Sequence, residues 1–551
     1  MKMGGADPVM KDLVLIGGGH AHAYVLKNFG MNPIPGVQVT LITRDVDTPY
    51  SGMLPGHIAG HYTRQECHID LVRLGNFANA RILHGEASAI DPVTKQVTIR
   101  GRPAISYDVL SINIGSAPQM SSSSSPSSQP QAGAPPAQEP QDTVTPVKPI
   151  DKFSARWDQI LERAYVLAST VGPDGRRGQR VRVCVVGGGA GGVELTLSMQ
   201  VRLRKEYEKR GASADLVEMT LVGRGKSLMP AHNPTVQQTF ERIARQRNIK
   251  LVLGRAAKRV TKGRVECADG TVIECDECVW CTNAGAQAWL QQTGLSLDDN
   301  GFIRVHDTLE SINCQDVFAV GDICAIENHP RPKAGVFAVR GGPPLARNLR
   351  ARLLGKKVLE SWHPQTEFLG IIGTGDARQC VASRGQLGLE GGWLWELKDW
   401  IDRTWMAGYT TRLPRMEPPE EKISAIASAS GPEALAVLKH ASMRCGGCGA
   451  KVGATVLSNV MRRLREEVPM ADAAKNKVLV GLDAPDDCAV VAPDPQGRAS
   501  VHTVDFFRSF IKDPYLFGKI AANHALSDCH AMCAEASTAL IRKSTLCSAY
   551  V

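Results

Sequence analysis

The sequence predicts an α/β fold, and two observations carry that prediction. A short apolar run followed by a glycine cluster occurs near residue 15 and again near residue 185. Each run has the length and character of a strand buried on both faces, the mark of a parallel sheet. Length and composition bound the rest. A chain of 551 residues accommodates about three or four domains. Hydrophobic residues make up 43% and charged residues 22%, which excludes a disordered or fibrous chain. No window approaches the ~18 continuous apolar residues of a membrane-spanning helix. Residues 1–11 lack the apolar run of a secretory leader, so a cytoplasmic location is expected. The 15 cysteines are scattered, as reduced thiols are. Glycine is over-used: 53 residues, against an ordinary share of about 7%.

The formal charge is +9, and three of those nine excess charges lie after residue 433. The excess is spread rather than concentrated, so nucleic acid is not an expected partner. The densest run, 202–210 (RLRKEYEKR), interleaves Glu206 and Glu208 and reads as a solvated helix face.

Three breaks organise the chain. Residues 120–147 are rich in Ser, Pro, Gln and Ala. They bury too little apolar surface to offset chain entropy and are expected as a disordered insertion. Residues 414–433 begin with PRMEPPEE and read as a linker. Residues 542–551 read as a tail. The expected folded regions are 11–119 with 301–345, then 148–300, an interface segment at 346–413, and 434–541.

The first glycine turn is Leu13-Val-Leu-Ile-Gly17-Gly18-Gly19-His20-Ala21-His22. Gly17 allows a tight turn, and Gly19 lets a pyrophosphate approach the backbone. The helix that follows supplies unpaired N–H groups and a partial positive charge. His22 stands where a third glycine is usual. A second strand, 37–43, ends at Arg44 and Asp45, where a ribose-binding acid is often found. The second turn, Val186-Gly187-Gly-Gly189-Ala-Gly191-Gly192, is a full G-x-G-x-x-G between an apolar strand and a helix. Its next strand ends in Gly223-Arg224 rather than an acid. An Arg there suits a 2′-phosphate, hence NADP; the alternative is a simply exposed Arg224. A third apolar strand delivers Val320-Gly321-Asp322, where Gly321 permits close approach and Asp322 accepts from sugar-alcohol hydroxyls.

Two dinucleotide turns and a terminal Gly-Asp resemble the flavoproteins with two dinucleotide-binding domains. The resemblance implies two Rossmann-like domains. FAD is expected on Gly17, Gly18, Gly19, Asp45, Gly321 and Asp322, and NAD(P)H on Gly187, Gly189, Gly192 and Arg224. The segments PYSGMLPG (49–56), PVKPI (146–150) and PKAGVFA (332–338) narrow this. They are similar to those of type II NADH dehydrogenase-like proteins, a likeness running over roughly 11–416. Glu194 matches that family's acid just after the second turn, near the flavin, and is a candidate catalytic residue. Disulfide reductases of the same fold carry a cysteine pair near the first flavin segment. Here that region holds only Cys67, so electrons are expected to pass from nicotinamide to flavin to an external acceptor.

Two other clusters have structural readings. Cys275, Cys278 and Cys281 suggest a metal, but strand alternation would send Cys278 to the face opposite the other two. Structural cysteines are the expectation. Four of the eight tryptophans lie in 393–405 (WLWELKDWIDRTW), with Trp393, Leu397, Trp400 and Ile401, and Met406 nearby, at helical spacing. A helix packed on the core is expected; the alternative is an interfacial membrane anchor.

From 443 the chemistry changes. Met443-Arg-Cys445-Gly-Gly-Cys448-Gly-Ala450-Lys451 places two cysteines in a glycine-rich loop, with a lysine that lowers a thiol pKa or contacts phosphate. A helix over 456–468 follows. Asp486 and Asp487, Asp505, and Asp528 then fall at loop and strand boundaries, a pattern that suits Mg²⁺ with a polyphosphate. Together these segments resemble selenide, water dikinase (selenophosphate synthetase). The resemblance implies that Cys448 and Lys451 are catalytic, that Lys451, Asp486 and Asp505 contact ATP, and that Asp487 and Asp528 bind Mg²⁺. Ala450, His524 and Cys533 depart from the family pattern, and the likeness covers only about 434–541, a third of the family domain.

The expected protein is therefore two Rossmann-like domains of a flavoprotein followed by an incomplete α+β ATP-binding domain of the selenophosphate synthetase type. It would be an FAD-dependent NAD(P)H oxidoreductase joined to a truncated dikinase, linking selenium reduction to selenophosphate formation. Its small-molecule partners would be NAD(P)H, selenide, ATP with Mg²⁺, and in one reading a quinone. A homodimer is the expected assembly, with peripheral membrane contact as a further possibility. Rival readings are a membrane-associated NAD(P)H:quinone oxidoreductase with an inactive dikinase remnant, and a non-catalytic flavin-binding redox sensor.

Overall fold

Runs of Leu, Val and Ile form the strands of a first parallel sheet because every such side chain finds an apolar neighbour. Leu13, Leu15, Leu41, Leu110 and Phe318 are fully buried, each worth roughly 1.5–3 kcal/mol relative to exposure. A computed structural model describes residues 9–118, 144–147, 150–173, 175–261, 263–281, 284–376, 379–414, 460–463, 477–481, 488–493, 495, 497–505 and 511–537. The chain divides into two units, Gly5–Pro419 and, for its C-terminal part, Glu420–Val551.

In the larger unit the first sheet has eight strands. Their order is Cys324–Ile326, Ile303–Val305, Glu310–Ser311, Cys314–Ala319, Val109–Ile112, Lys11–Ile16, Val37–Thr43 and Arg81–His84. Lys11–Ile16 pairs in parallel with both Val37–Thr43 and Val109–Ile112, and Cys314–Ala319 lies parallel to Val109–Ile112. The C-terminal ends of Lys11–Ile16 and Cys314–Ala319 therefore open on the same edge, one strand apart. Helices His20–Met31 and Gly335–Leu353 pack against each other on this sheet.

A second, five-stranded parallel sheet has the order Val144–Pro146, Glu277–Trp280, Val181–Val186, Val217–Gly223 and Lys250–Leu253. Ala190–Lys209 follows its glycine turn. A three-stranded antiparallel sheet of Gly370–Gly373, Cys380–Arg384 and Leu387–Gly391 leads into the Trp-rich helix Trp393–Ala407. In the C-terminal unit, Val478–Val480, Ala489–Val491 and Ser500–His502 form an antiparallel sheet, and Pro514–Ala531 is a helix capped by the Asp513 side chain.

Several expectations need correction. Val144–Pro146 lies inside the expected insertion at 120–147, yet it is an edge strand paired with Cys278–Trp280. Composition hides it because a three-residue strand borrows its order from its neighbour. The boundary at 300/301 falls too late: Leu290 and Leu295 already pack in the first core, and Ala284–Gly285 pairs with Ala117–Pro118. The boundary at 345/346 falls inside Gly335–Leu353. Alternation also misplaced the cysteines. The strand begins only at Glu277, so Cys275 folds back and shares one buried cluster with Cys184, Cys267, Cys278 and Trp280. Cys281 instead lies against the second glycine turn. Among the described residues no His, Cys, Asp and Glu group is arranged to hold a metal. In 202–210, Glu206 is only 4% exposed, bridged by Arg202, Lys209 and Arg210, so that helix face is not wholly solvated.

Candidate functional site

The first glycine turn is crowded by neighbouring backbone and side-chain atoms. Gly17 has φ +89°, and a Cβ there would lie 2.5 Å from the Asn113 carbonyl oxygen. A Cβ on Gly18 would meet Leu71 at 2.2 Å, and one on Gly19 would meet Asn113 Oδ1 at 2.2 Å. The Gly19 N–H donates to the Asn113 carbonyl at 3.2 Å. His22, where a third glycine was anticipated, is fully buried. Its Nδ1 donates to Gly17 O at 2.6 Å, and its Nε2 meets Ser111 Oγ at 2.8 Å. Burial pushes its pKa down to about 4, so a neutral imidazole staples the turn that glycine would have closed by contact.

Asn113 ties this turn to the third segment. Its Nδ2 donates to Val320 O at 2.8 Å. Gly321, at φ +78°, leaves only 2.7 Å between a hypothetical Cβ and that same Nδ2. Asp322 accepts from Ser116 Oγ at 3.1 Å. Gly17, Gly18, Gly19, Gly321 and Asp322 thus share one edge; Gly321 and Asp322 also line a 270 Å³ cavity with Phe302, Lys333 and Trp362. Asp45 follows the neighbouring strand and is paired with Arg44 at 2.7 Å, both partly exposed.

The second turn pairs two crowded glycines, Gly187 and Gly192, with the open Gly189 and Gly191. A Cβ on Gly192 would sit 1.9 Å from Gly187 O, so that glycine serves strand–helix packing. Gly187 has φ +137°, while a Cβ on Gly189 or Gly191 would meet nothing within 4 Å. The backbone there is open to an incoming group, as a helix N-terminus that receives a phosphate must be. Arg224 is exposed at the end of Val217–Gly223.

Glu194 lies one turn into Ala190–Lys209 and reaches a different neighbourhood from the glycines. Its Oε1 accepts from the Gly373 N–H at 2.7 Å. Burial pushes its pKa up to about 7, with Lys398 and the Gly373 N–H pulling it down and Asp402 pushing it up. Lys398 and Asp402 form a buried pair at 2.5 Å on the Trp-rich helix, and Lys398 Nζ also donates to Gly52 O at 2.7 Å. Tyr50 bonds to Asp402, and its hydroxyl is held above its ordinary pKa by burial and that carboxylate. The buried stripe of this helix is Leu394, Lys398, Asp402 and Met406. Trp393, Trp400 and Ile401 face outward, at 58%, 65% and 38% exposure. Cys67, near the first segment, is buried, and its thiol pKa is pushed up to about 11.

In the C-terminal unit, Asp528 accepts from Thr503 Oγ1 at 3.0 Å, and Asp505 pairs with His524 Nδ1 at 3.0 Å. Cys533 has φ +53°, a conformation that favours the glycine usual in the resembled family. Cys448, Lys451, Asp486 and Asp487 lie outside the described residues, as do most of 456–468.

Sequence reasoning overlooked Asn113, Lys398 and Asp402. A polar residue ending the buried strand Val109–Ile112 was a readable signal for the first. The i, i+4 spacing of Lys398 and Asp402 was a signal for the pair, but the tryptophans drew attention to the opposite face. The two turns, the orphan Nδ1 of buried His20 and the open second cradle fit two dinucleotides.

Comparison with known proteins agrees with this geometry. The family model described as pyridine nucleotide-disulphide oxidoreductase matches residues 11–348, and that of the AIR synthase related protein N-terminal domain matches 485–544. The chain is 23% identical over 402 residues to the NADH dehydrogenase-like protein YutJ of Bacillus subtilis, covering 71% of this chain and 99% of that protein. It is 44% identical over 95 residues to the selenide, water dikinase of Agathobacter rectalis, covering 17% of this chain and 26% of the relative. The chain thus spans about a quarter of the selenide, water dikinases it matches. Among solved structures, the sulfide:quinone oxidoreductase of Aquifex aeolicus superposes with TM-score 0.56 at 18% identity, covering 73% of this chain and 92% of that one. NDH2 of Plasmodium falciparum in complex with NADH gives 0.55 at 14%, covering 74% and 100%. At these identities the likeness is one of fold: an α/β flavoprotein architecture of the disulphide-reductase type, with part of an AIR synthase-type N-terminal domain at the C-terminal end.

Proposed function

The chain belongs to the pyridine nucleotide-disulphide oxidoreductase family, and on that premise we propose that it oxidises NAD(P)H and passes the electrons to a small external acceptor. The carrying observation is Glu194. Its carboxyl, with a pKa near 7, is pinned by Gly373 beside the buried Lys398–Asp402 pair, so it can hold or release a proton at neutral pH. A bound isoalloxazine supplies the relay between nicotinamide and acceptor. The protein's own work is to seat it and NAD(P)H. Gly17, Gly18, Gly19, Gly321 and Asp322 would hold FAD. Asp45 would reach a ribose once freed from Arg44. Gly187, Gly189 and Gly192 would hold NAD(P)H, with Arg224 favouring a 2′-phosphate. Purified protein should oxidise NAD(P)H when given selenium or sulfur species. Turnover with quinones alone would sink the link to selenium.

A quinone reading draws on the outward face of Trp393, Trp400 and Ile401, close in sequence to exposed Leu387 and Leu389. Among the described residues no helix is long and apolar enough to cross a membrane. That face instead suits an interfacial contact. Trp400→Glu should abolish binding to liposomes while leaving the fold intact; unchanged binding would remove this reading.

For the C-terminal region we propose a partial selenide, water dikinase. Cys448 and Lys451 would act in chemistry, Lys451, Asp486 and Asp505 would contact ATP, and Asp487 and Asp528 would hold Mg²⁺. With about a quarter of the relatives' length matched, the chain is expected to lack full dikinase activity. AMP formation from ATP and selenide, lost in Cys448→Ser, would overturn that expectation.

A further inference from the structure

His20 opens the helix after the first glycine turn, and it lacks the structural task its neighbour His22 performs. Both ring nitrogens of His22 are engaged. His20 is 8% exposed, and its Nδ1 is enclosed without a hydrogen-bond partner among the described residues. Leaving such a group unpaired forfeits its solvation with nothing in return, and native proteins rarely do so without a reason. The ring is fixed. Tyr50 and Trp405 meet it edge-on at 5.5 and 5.2 Å, and they stack on each other at 4.4 Å.

The charges around it bear on what the atom awaits. Asp322 is the carboxylate that acts on the ring, and Tyr50, bonded to Asp402, closes another side. Lys333, in the cavity wall, is turned to Cys324 O at 2.6 Å. Burial outweighs Asp322 and pushes the His20 pKa down to about 4, leaving the ring neutral at pH 7. A diphosphate on the first turn would bring two negative charges to the N-terminus of His20–Met31, close to a carboxylate already present. Backbone N–H groups and the helix dipole answer part of that charge; a cation on His20 would answer more.

We propose that His20 is a ligand of the cofactor diphosphate that binds together with a proton: Nδ1 donates to a phosphate oxygen, and the ring takes one proton from solution as the dianion arrives. This rests on the flavoprotein reading, with FAD on the first turn. The balance is one neutral imidazole, one proton and one dianionic cofactor giving one imidazolium–diphosphate contact; nothing is oxidised or reduced.

The test is calorimetric titration of the full flavin-stripped chain with FAD, in buffers of different ionisation enthalpy between about pH 6 and 7. The wild-type heat should vary with the buffer in proportion to nearly one proton taken up. Its association constant should fall by up to about tenfold per pH unit. His20→Gln keeps an N–H donor but cannot be protonated. It should bind FAD without the buffer dependence and with a flat pH profile. Equal proton uptake in both proteins, or none in the wild type, overturns the proposal. FAD bound without proton uptake would leave the flavoprotein reading standing; no FAD bound at all would end both. If the variant fails to fold, ¹⁵N-histidine NMR of the wild type decides. One ring should pass from neutral to doubly protonated on FAD addition, and the absence of that change refutes the proposal.

Discussion

At the scale of single residues, the second glycine turn separates packing from binding within a few positions. Gly192→Ala would force a Cβ to 1.9 Å from Gly187 O, an overpacking that costs about 1–3 kcal/mol; its thermal midpoint should fall. Gly189→Ala meets no atom within 4 Å. It should melt like the wild type and keep its flavin, yet show a KM for NAD(P)H raised tenfold or more. Equal melting points for the two variants would contradict this division. Glu194 yields a pH test with a definite sign. Folded, it keeps its proton up to about pH 7; unfolded, it releases it near 4.5. The native state therefore binds more protons between those values, and stability falls as pH rises through that window. Glu194→Gln removes the penalty. Its melting point should overtake that of the wild type above pH 7, while the ionisation near 7 disappears from the kcat/KM profile. The motif G-x-G-x-x-G was legible in the sequence. That a Cβ on Gly192 would strike Gly187 O while one on Gly189 would meet nothing was not, because it depends on how the helix start folds back over the turn.

At the scale of elements, the Trp-rich helix is the main lesson. Its apolar periodicity over Trp393, Leu397, Trp400 and Ile401 was plain in the sequence, yet Trp393, Trp400 and Ile401 face outward and Leu397 is only half-buried. Leu394, Lys398, Asp402 and Met406 face inward. A buried ion pair is tolerated there because Lys398 also donates to Gly52 O, so its charge is answered twice. Lys398→Ala leaves Asp402 buried without that cation and should cost about 3–5 kcal/mol; Lys398→Met with Asp402→Leu should recover most of it. Chemical denaturation of the single and double variants measures this, and an additive double variant would contradict the pairing. The same logic explains the misplaced cysteines. Alternation holds only within a strand, and Cys275 precedes the strand that carries Cys278.

At the scale of the molecule, the division at Pro419/Glu420 falls within the 414–433 segment that composition marked as a linker. Each of the two large sheets has its own apolar core within Gly5–Pro419. A chain ending at Pro419 should therefore fold, bind FAD and oxidise NAD(P)H at the full-length rate. Loss of NAD(P)H oxidation with FAD retained would show that the C-terminal unit takes part in the reaction. By itself the sequence determined the two glycine turns, the strands that lead into them and the change of chemistry after residue 443. These are local: a glycine's φ, a strand's burial and a motif's spacing are written in neighbouring residues. Only the tertiary structure decided that His22 replaces a glycine by hydrogen bonding, that Asn113 joins the first turn to Gly321, and that Glu194 meets Gly373 with Lys398 and Asp402 close by. Those contacts join residues up to about two hundred positions apart. Hydrophobic burial, which carries no sequence address, settles which of them meet.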